Sequence, residues 1–175
     1  VGYADALALY LAFAVSRSVD RSSTICSWDS SPKMEALRNT FARQAIPMTW
    51  DFAEGNVFSA SSGNFGDNVG FVAKVVERLP ASARSSAYQK NAEESFAEES
   101  VVATDPPYYD NIGYADLSDF FYVWLRRSIG RYYPDITGTV LTPKAEELVA
   151  TPYRFGGSKD KAEEHFERGF VRTFT

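Results

Sequence analysis

A stiff turn at residues 105–108 constrains the fold of this chain more than any other feature. The turn reads Asp105-Pro106-Pro107-Tyr108 and follows an apolar run, for which we predict a short buried strand at 100–104. Proline fixes its own φ and has no N–H to donate, so neither a helix nor a central strand continues through this turn. Because ligands of open α/β sheets bind where strands end, the order of strand, turn and helix predicts a concave site lined by Asp105, Pro106 and Tyr108.

Apolar periodicity and capping residues predict helices along most of the remaining chain. The predicted helices cover residues 3–15, Met34–Gln44, Asp67 or Asn68 to about Leu79, Asp116–Ile129 and Lys159–Phe174. The first is expected to be buried, because its apolar residues Leu7, Leu11 and Val15 recur at every fourth position. Apart from 100–104, only a weak strand at 85–89 is expected. We therefore predict an α/β fold that is rich in helix and has few parallel strands.

Composition excludes several classes of site. The 175 residues include one Cys and one His, which rules out a disulfide framework, a cysteine-based zinc site and any mechanism that needs two histidines. The net charge is -5, which argues against a simple basic clamp for nucleic acid. The apolar run at 3–15 is shorter than the roughly 20 residues that a membrane span needs. We expect no metal and no membrane partner.

The residues of the turn suit the methylation of an exocyclic amine on a planar base. Such an amine is a poor nucleophile, because its lone pair is delocalised into the ring. The Asp105 carboxylate and the Pro106 carbonyl can both accept hydrogen bonds from the amine and free that lone pair for attack. The ring of Tyr108 offers a face on which a flipped base can stack. The methyl group must then come from a sulfonium cofactor held in line with the amine.

This motif resembles the catalytic motif of the amino-group DNA methyltransferases, which act on adenine N6 or cytosine N4. The longer string from Thr104 to Tyr114, together with segments 50–56, 120–125 and 151–157, is similar to large prokaryotic adenine-specific DNA methylases that carry a zinc ribbon. The resemblance implies a Rossmann-like methyltransferase fold, S-adenosylmethionine as cofactor, DNA as partner and a cytoplasmic location. It covers most of the chain from about residue 40 onward.

The resemblance also implies a role for each residue of the candidate site. The expected catalytic residues are those of the turn, Asp105, Pro106, Pro107 and Tyr108. The expected substrate contacts are Tyr108, Tyr109, Asp110 and Asn111. Related enzymes contact the adenine of the cofactor through an acidic residue followed by a small one. Asn91 and Ala92 occupy that place here, and together with Asp105 they are the expected cofactor contacts.

A Phe-x-Gly-x-Gly cofactor loop, which these enzymes use, is missing from the sequence. The nearest segment is Gly63–Gly70, where the glycine spacing differs and no good strand precedes the loop. We therefore expect the chain to be a C-terminal part of the catalytic domain that binds the cofactor weakly or not at all by itself, the remainder of the same polypeptide supplying the loop. Its expected parts are a helical segment 1–45, a catalytic α/β part 46–130 and an extension 131–175.

Two other functions stay open from the sequence. An RNA base amine is a possible substrate, because RNA methyltransferases use a similar motif. A Rossmann-like module that only binds a partner is also possible, and the missing glycine loop is the main argument for it.

Overall fold

The computed structural model describes residues 2–80, 82, 86–94, 101–110 and 112–174, and these residues are largely helical. The elements in chain order are α1 (Tyr3–Val19), β1 (Trp28–Asp29), β2 (Ala36–Leu37), α2 (Phe65–Arg78), α3 (Tyr114–Ile129), α4 (Pro134–Thr137), a 3₁₀ turn (Pro152–Phe155) and α5 (Lys159–Phe174). The predicted richness in helix is confirmed. The sheet in this part of the chain has two strands, which pair antiparallel with Trp28 opposite Leu37. None of the helices described is both long and apolar enough to cross a bilayer.

The chain forms two compact units. The first comprises Val1–Ser85 and Leu117–Leu141, and the second comprises Ser86–Asp116 and Thr142–Thr175. Each unit has its own buried residues: Ala12, Ala14 and Cys26 lie in the first unit, and Ala150, Ala162 and Phe166 lie in the second. The division of the chain at residues 45 and 130 stays a prediction.

Helix α1 forms where it was expected but buries a different face. Asp5 lies in its first turn and accepts a hydrogen bond from the Gly2 N–H at 3.0 Å, which satisfies a donor at the helix start. Ala12 and Ala14 are buried, whereas Leu7 and Leu11 are exposed. The expectation of a buried leucine stripe is therefore wrong, because the buried residues of α1 are Ala12, Ala14, Ser18 and Val19 instead.

Helix α2 is capped by Asn64, whose side-chain oxygen accepts from the Asp67 N–H at 2.8 Å. Asn68, one of the two caps expected from the sequence, instead lies buried between helices. Its amide donates to the Ser18 hydroxyl at 2.9 Å, and its oxygen accepts from Arg17 Nε at 3.1 Å. These bonds join α1 to α2, and Ser18 and Asn68 are both buried.

The helix predicted at Met34–Gln44 is wrong, because tertiary hydrogen bonds take its backbone donors. The N–H groups of Thr40 and Phe41 donate to the carbonyl and the carboxylate of Asp20, at 2.6 and 3.3 Å. Glu35 has a φ of 37°, which is outside the helical region. An ion pair of 2.6 Å between Arg38 and Asp29 then closes the β1–β2 hairpin.

Helices α3 and α5 form as predicted and carry aromatic side chains into their units. In the first unit, the rings of Phe120 and Phe121 both lie against Phe41, with centroid distances of 5.4 and 5.3 Å. In the second unit, α5 places Phe166 and Phe170 with their ring centroids 5.4 Å apart. The predicted amphipathic character of both helices therefore reflects real packing faces.

Replacement of Asn68 by Ala should destabilise the protein by about 1–3 kcal/mol, because the Ser18 hydroxyl and the Arg17 guanidinium lose a partner. Urea unfolding followed by circular dichroism measures the change. The exposed amide of Gln44 provides the control, and Gln44→Ala should stay within about 0.5 kcal/mol. Equal stability of the two variants would contradict this role of Asn68.

Candidate functional site

The segment before the Asp-Pro-Pro-Tyr motif is an exposed chain without regular secondary structure. Residues 101–104 form no strand, and Val101 is fully exposed. A strand needs a neighbour to accept and donate its backbone hydrogen bonds, and the only sheet in the described residues is the β1–β2 hairpin. The predicted strand is therefore wrong for 101–104, and Asp105 does not follow the end of a parallel strand.

Tyr109 binds the motif to the rest of the second unit, through Ala150 and Phe166. Its carbonyl accepts a hydrogen bond from the Ala150 N–H at 2.9 Å, and its ring meets Phe166 edge to face with the centroids 5.0 Å apart. Partial burial raises the pKa of the Tyr109 hydroxyl, and the carboxylate of Glu163, which accepts its hydrogen bond, raises it further. The side chain expected to contact substrate therefore acts as an anchor in this structure.

The rest of the motif remains accessible. Asp105 and Pro106 are exposed, Pro107 is half-buried and Tyr108 is 61% exposed. Asp110, also exposed, shares the turn with Tyr109. The fixed φ of each proline limits the ways in which the carboxylate and the Tyr108 ring can move relative to each other. Asn111, the last of the expected substrate contacts, lies outside the described residues.

Arg154 holds together the segments that receive Tyr109. Its guanidinium forms ion pairs with Asp116 at 2.8 Å and with Glu147 at 2.7 Å, and it donates to the Lys144 carbonyl at 3.1 Å. Glu147 in turn accepts from the Ala115 N–H at 3.0 Å. The start of α3 and the chain that leads to Ala150 are thereby bound to one cation.

Hydrogen bonds and charges within this network shift the pKa values of Arg154 and Asp116. Burial by itself would lower the pKa of Arg154, but hydrogen bonds with Asp116, Glu147 and Tyr153 outweigh it and raise that pKa. Burial likewise would raise the pKa of Asp116, yet hydrogen bonds from Tyr153 and Arg154 bring it below its ordinary value of 3.8. Arg154 and Asp116 therefore both stay charged at neutral pH.

Asn91 and Ala92, the expected contacts to the cofactor, are both exposed. The amide oxygen of Asn91 accepts from the Glu93 N–H at 3.0 Å, which leaves its second lone pair available. Asn91 also lines a cavity of about 180 Å³ together with Glu146, His165 and Arg168. Over the residues described, no hydrogen bond or ion pair joins Asn91 or Ala92 to the 105–110 segment.

A larger cavity of about 610 Å³ lies in the first unit. Its wall includes much of the segment 53–64, which is fastened at both ends: the Ala53 N–H donates to the Cys26 carbonyl at 2.9 Å, and the Phe65 N–H donates to the Val57 carbonyl at 2.8 Å. Of the segment Gly63–Gly70, the residues from Phe65 onward, including Gly66 and Gly70, lie inside α2.

Comparison with known proteins returned nothing: no protein-family model, no curated protein and no solved structure matches the chain.

Tyr109 and Tyr108 should differ in their effect on stability. Tyr109→Ala should lower the free energy of unfolding by about 1–2 kcal/mol, because it removes the edge-to-face contact with Phe166 from a side chain that is 39% exposed. Tyr108→Ala, the matched variant on an exposed neighbour, should change it by less than about 0.5 kcal/mol. Urea titration measures both, and a larger loss for Tyr108 would show that the anchor is assigned to the wrong tyrosine.

Stability should also fall with pH as Asp116 becomes protonated. The folded-state pKa of Asp116 lies below the ordinary 3.8, so its contribution is present above about pH 4 and is lost as the pH falls through the folded-state pKa. Asp116→Asn and Arg154→Met should therefore both flatten the dependence of unfolding free energy on pH below 4. An unchanged slope in both variants, measured by urea titration at each pH, would contradict the ion pair.

Proposed function

We propose that the chain belongs to an S-adenosylmethionine-dependent methyltransferase that acts on an exocyclic base amine of DNA, with adenine N6 as the preferred target. The observation that carries the proposal is the Asp-Pro-Pro-Tyr motif itself, displayed next to an anchored tyrosine. Tyr109 contacts Phe166 and Ala150, whereas Asp105 and Tyr108 are exposed. A motif that served only as a structural turn would have no need of an accessible carboxylate beside an accessible ring.

Each exposed group has a distinct task in this reaction. The Asp105 carboxylate and the Pro106 carbonyl accept hydrogen bonds from the two N–H groups of the target amine. These hydrogen bonds shift the amine nitrogen toward tetrahedral geometry. The interaction with Asp105 strengthens as positive charge develops on that nitrogen, so it stabilises the transition state more than the ground state. Tyr108 supplies a stacking face for a base that has left the duplex. The methylated amine then loses one proton, which passes to the solvent around the exposed Asp105.

The reaction also requires residues that bind the cofactor, and we assign this role to Asn91 and Ala92. S-adenosylmethionine, when bound, supplies an electrophilic methyl group. The free lone pair of Asn91 suits an amine of the cofactor's adenine, and Ala92 leaves space beside it. A Rossmann-like domain, completed by the remainder of the same polypeptide, is the fold proposed for the whole enzyme, and the cytoplasm, where DNA is accessible, is its proposed location.

The choice of DNA over RNA rests on the sequence of the motif and its flanking segments. Arg126, Arg127 and Arg131 form the one tight basic cluster of the sequence. Two of them make local contacts: Arg126 donates to the Thr137 carbonyl at 3.3 Å, and Arg131 lies over the Tyr132 ring at 4.5 Å. A net charge of -5 also provides no general attraction for phosphates. We therefore assign substrate recognition to the flipped base. Methyl transfer to RNA is one of the outcomes that the experiment below distinguishes.

In the complete polypeptide, Asp105→Ala should lower methyl transfer to duplex DNA by about 100- to 1,000-fold, because one preorganised acceptor is lost. Tyr108→Phe keeps the stacking face and should lose about tenfold or less, whereas Tyr108→Ala should lie between the two. Transfer of labelled methyl groups, with adenine and cytosine products separated, measures the rates.

The exposed carboxylate of Asp135 provides the matched control, and Asp135→Ala should leave the rate unchanged. Retention of more than about a tenth of the activity by Asp105→Ala would contradict the role of the carboxylate. Transfer to RNA but not to DNA would retain the chemistry and reject the proposed substrate.

A further inference from the structure

The larger cavity lies entirely within the first unit, between the β1–β2 hairpin and the segment 53–64. Trp28 and Leu37 are opposite each other in the hairpin, so their side chains lie on one face. A Cβ added at Gly55 would lie only 3.2 Å from Leu37 Cδ2, so this face packs closely against the segment. The Trp28 indole lines the cavity from the hairpin side and is 57% exposed.

A glycine allows the Arg21 side chain to lie along the wall of the cavity. Gly63 has a φ of 87°, a left-handed conformation that favours glycine. A Cβ at this position would lie 3.2 Å from Arg21 Cδ and 3.7 Å from Nη1, so the guanidinium lies close against the backbone there. The hydrogen bond from the Phe65 N–H to the Val57 carbonyl closes the segment. Contacts within the chain therefore position Arg21 on the wall.

Three charged side chains line the cavity, Arg21, Glu35 and Glu54. None of the three forms an ion pair over the part of the chain that the structure describes. The lining therefore carries one positive and two negative charges at neutral pH. A ligand that fills the cavity displaces water from these groups, and a charge that loses water without gaining a partner costs binding free energy.

This charge pattern excludes several classes of ligand. An uncharged ligand would leave all three groups unpaired, and a phosphate dianion would be repelled by the two carboxylates. An organic dication would pair with the carboxylates but would leave Arg21 without a partner. The complementary ligand carries one anionic group and two cationic groups.

Such a ligand gains a further contact from the Trp28 indole. The face of an aromatic ring attracts a cation, and a planar guanidinium also stacks on it. The amide of Asn56 and the hydroxyl of Ser62 add hydrogen-bonding groups to the lining. The volume of about 610 Å³ lies within the range of roughly 300–1,000 Å³ that is typical of small-molecule sites.

We propose that this cavity binds a free α-amino acid with a cationic side chain, and that arginine fits it best. The α-carboxylate pairs with Arg21, while the α-ammonium and the side-chain cation pair with the carboxylates of Glu35 and Glu54. The guanidinium of the ligand stacks on the Trp28 indole. None of these residues belongs to the Asp-Pro-Pro-Tyr motif, and binding does not depend on the proposed methyl transfer.

Calorimetric titration of the full chain with L-arginine and with agmatine tests the proposal. Agmatine has two cationic groups like arginine but lacks the carboxylate. Arginine should bind with a dissociation constant below about 1 mM, and agmatine at least about tenfold more weakly. Arg21→Met keeps an aliphatic stem beside Gly63 and removes the charge. It should weaken arginine about tenfold or more and bind agmatine as well as the unaltered chain or better, because the repulsion by Arg21 is gone.

The two cationic groups are tested by changes to the ligand. Citrulline is neutral at the side chain, and Nα-acetylarginine is neutral at the α-nitrogen, as arginine is at the end of a peptide. Each should bind at least about tenfold more weakly than arginine. Glu35→Gln and Glu54→Gln should weaken arginine by a similar factor, and Trp28→Ala by about two- to fivefold. Arg43→Met and Trp50→Ala replace exposed residues of the same types outside the lining and should leave arginine binding unchanged.

Absence of saturable arginine binding at about 10 mM would overturn the proposal, and so would an affinity that Arg21→Met leaves unchanged. Agmatine binding as tight as that of arginine would assign the cavity to an organic dication instead. Nα-acetylarginine binding as tight as that of arginine would assign it to the end of a peptide. Either result would overturn a site for the free amino acid.

Discussion

The ion pairs of Arg154 are the interaction on which the arrangement of the second unit depends. A single guanidinium joins Asp116 at the start of α3, Glu147, and the carbonyl of Lys144. Arginine suits this place because its planar group donates in several directions at once and stays charged when partly buried. Without it, the carboxylates of Asp116 and Glu147 would lose the cation that pairs with both, and the chain that leads to Ala150 would lose its fixed end.

The position of the motif follows from that fixed end. Ala150 donates to the Tyr109 carbonyl and Phe166 receives the Tyr109 ring, so the chain is held immediately after the motif. The two prolines then restrict the backbone on the other side of Tyr108. Such a combination lets Asp105 and Tyr108 be accessible and still limited in their freedom, which is what a positioned acceptor and stacking face require.

The helices could be predicted from the sequence because their periodicity is local. Helices α1, α2, α3 and α5 all form within a few residues of their expected bounds. Strand formation is not local, and among the residues that the structure describes no strand lies beside the exposed Val101 segment. The segment 34–44 failed for a related reason, since its backbone donors bind Asp20, a residue distant along the chain.

The chemistry of the candidate site stays a prediction from the sequence, and its geometry could not be predicted. The motif identified Asp105 and Tyr108, yet nothing in the sequence distinguishes the exposed Tyr108 from the anchored Tyr109, because the difference depends on Phe166 and Ala150. The cavity around Arg21 was missed because its lining comes from three separate segments. Its one local signal was the density of glycine and serine at 53–64, which is equally typical of a flexible loop.

Amide hydrogen exchange around Tyr109 tests the central claim, that a fixed anchor presents an otherwise accessible motif. The Ala150 N–H donates to the Tyr109 carbonyl at 2.9 Å, so it should exchange slowly, at a rate close to that of amides within α5. The amides of Asp105 and Tyr108, which lie in an exposed segment, should exchange at nearly the rate of an unstructured peptide. Exchange at Ala150 as fast as at Asp105 would show that the anchor does not hold, and would contradict the account.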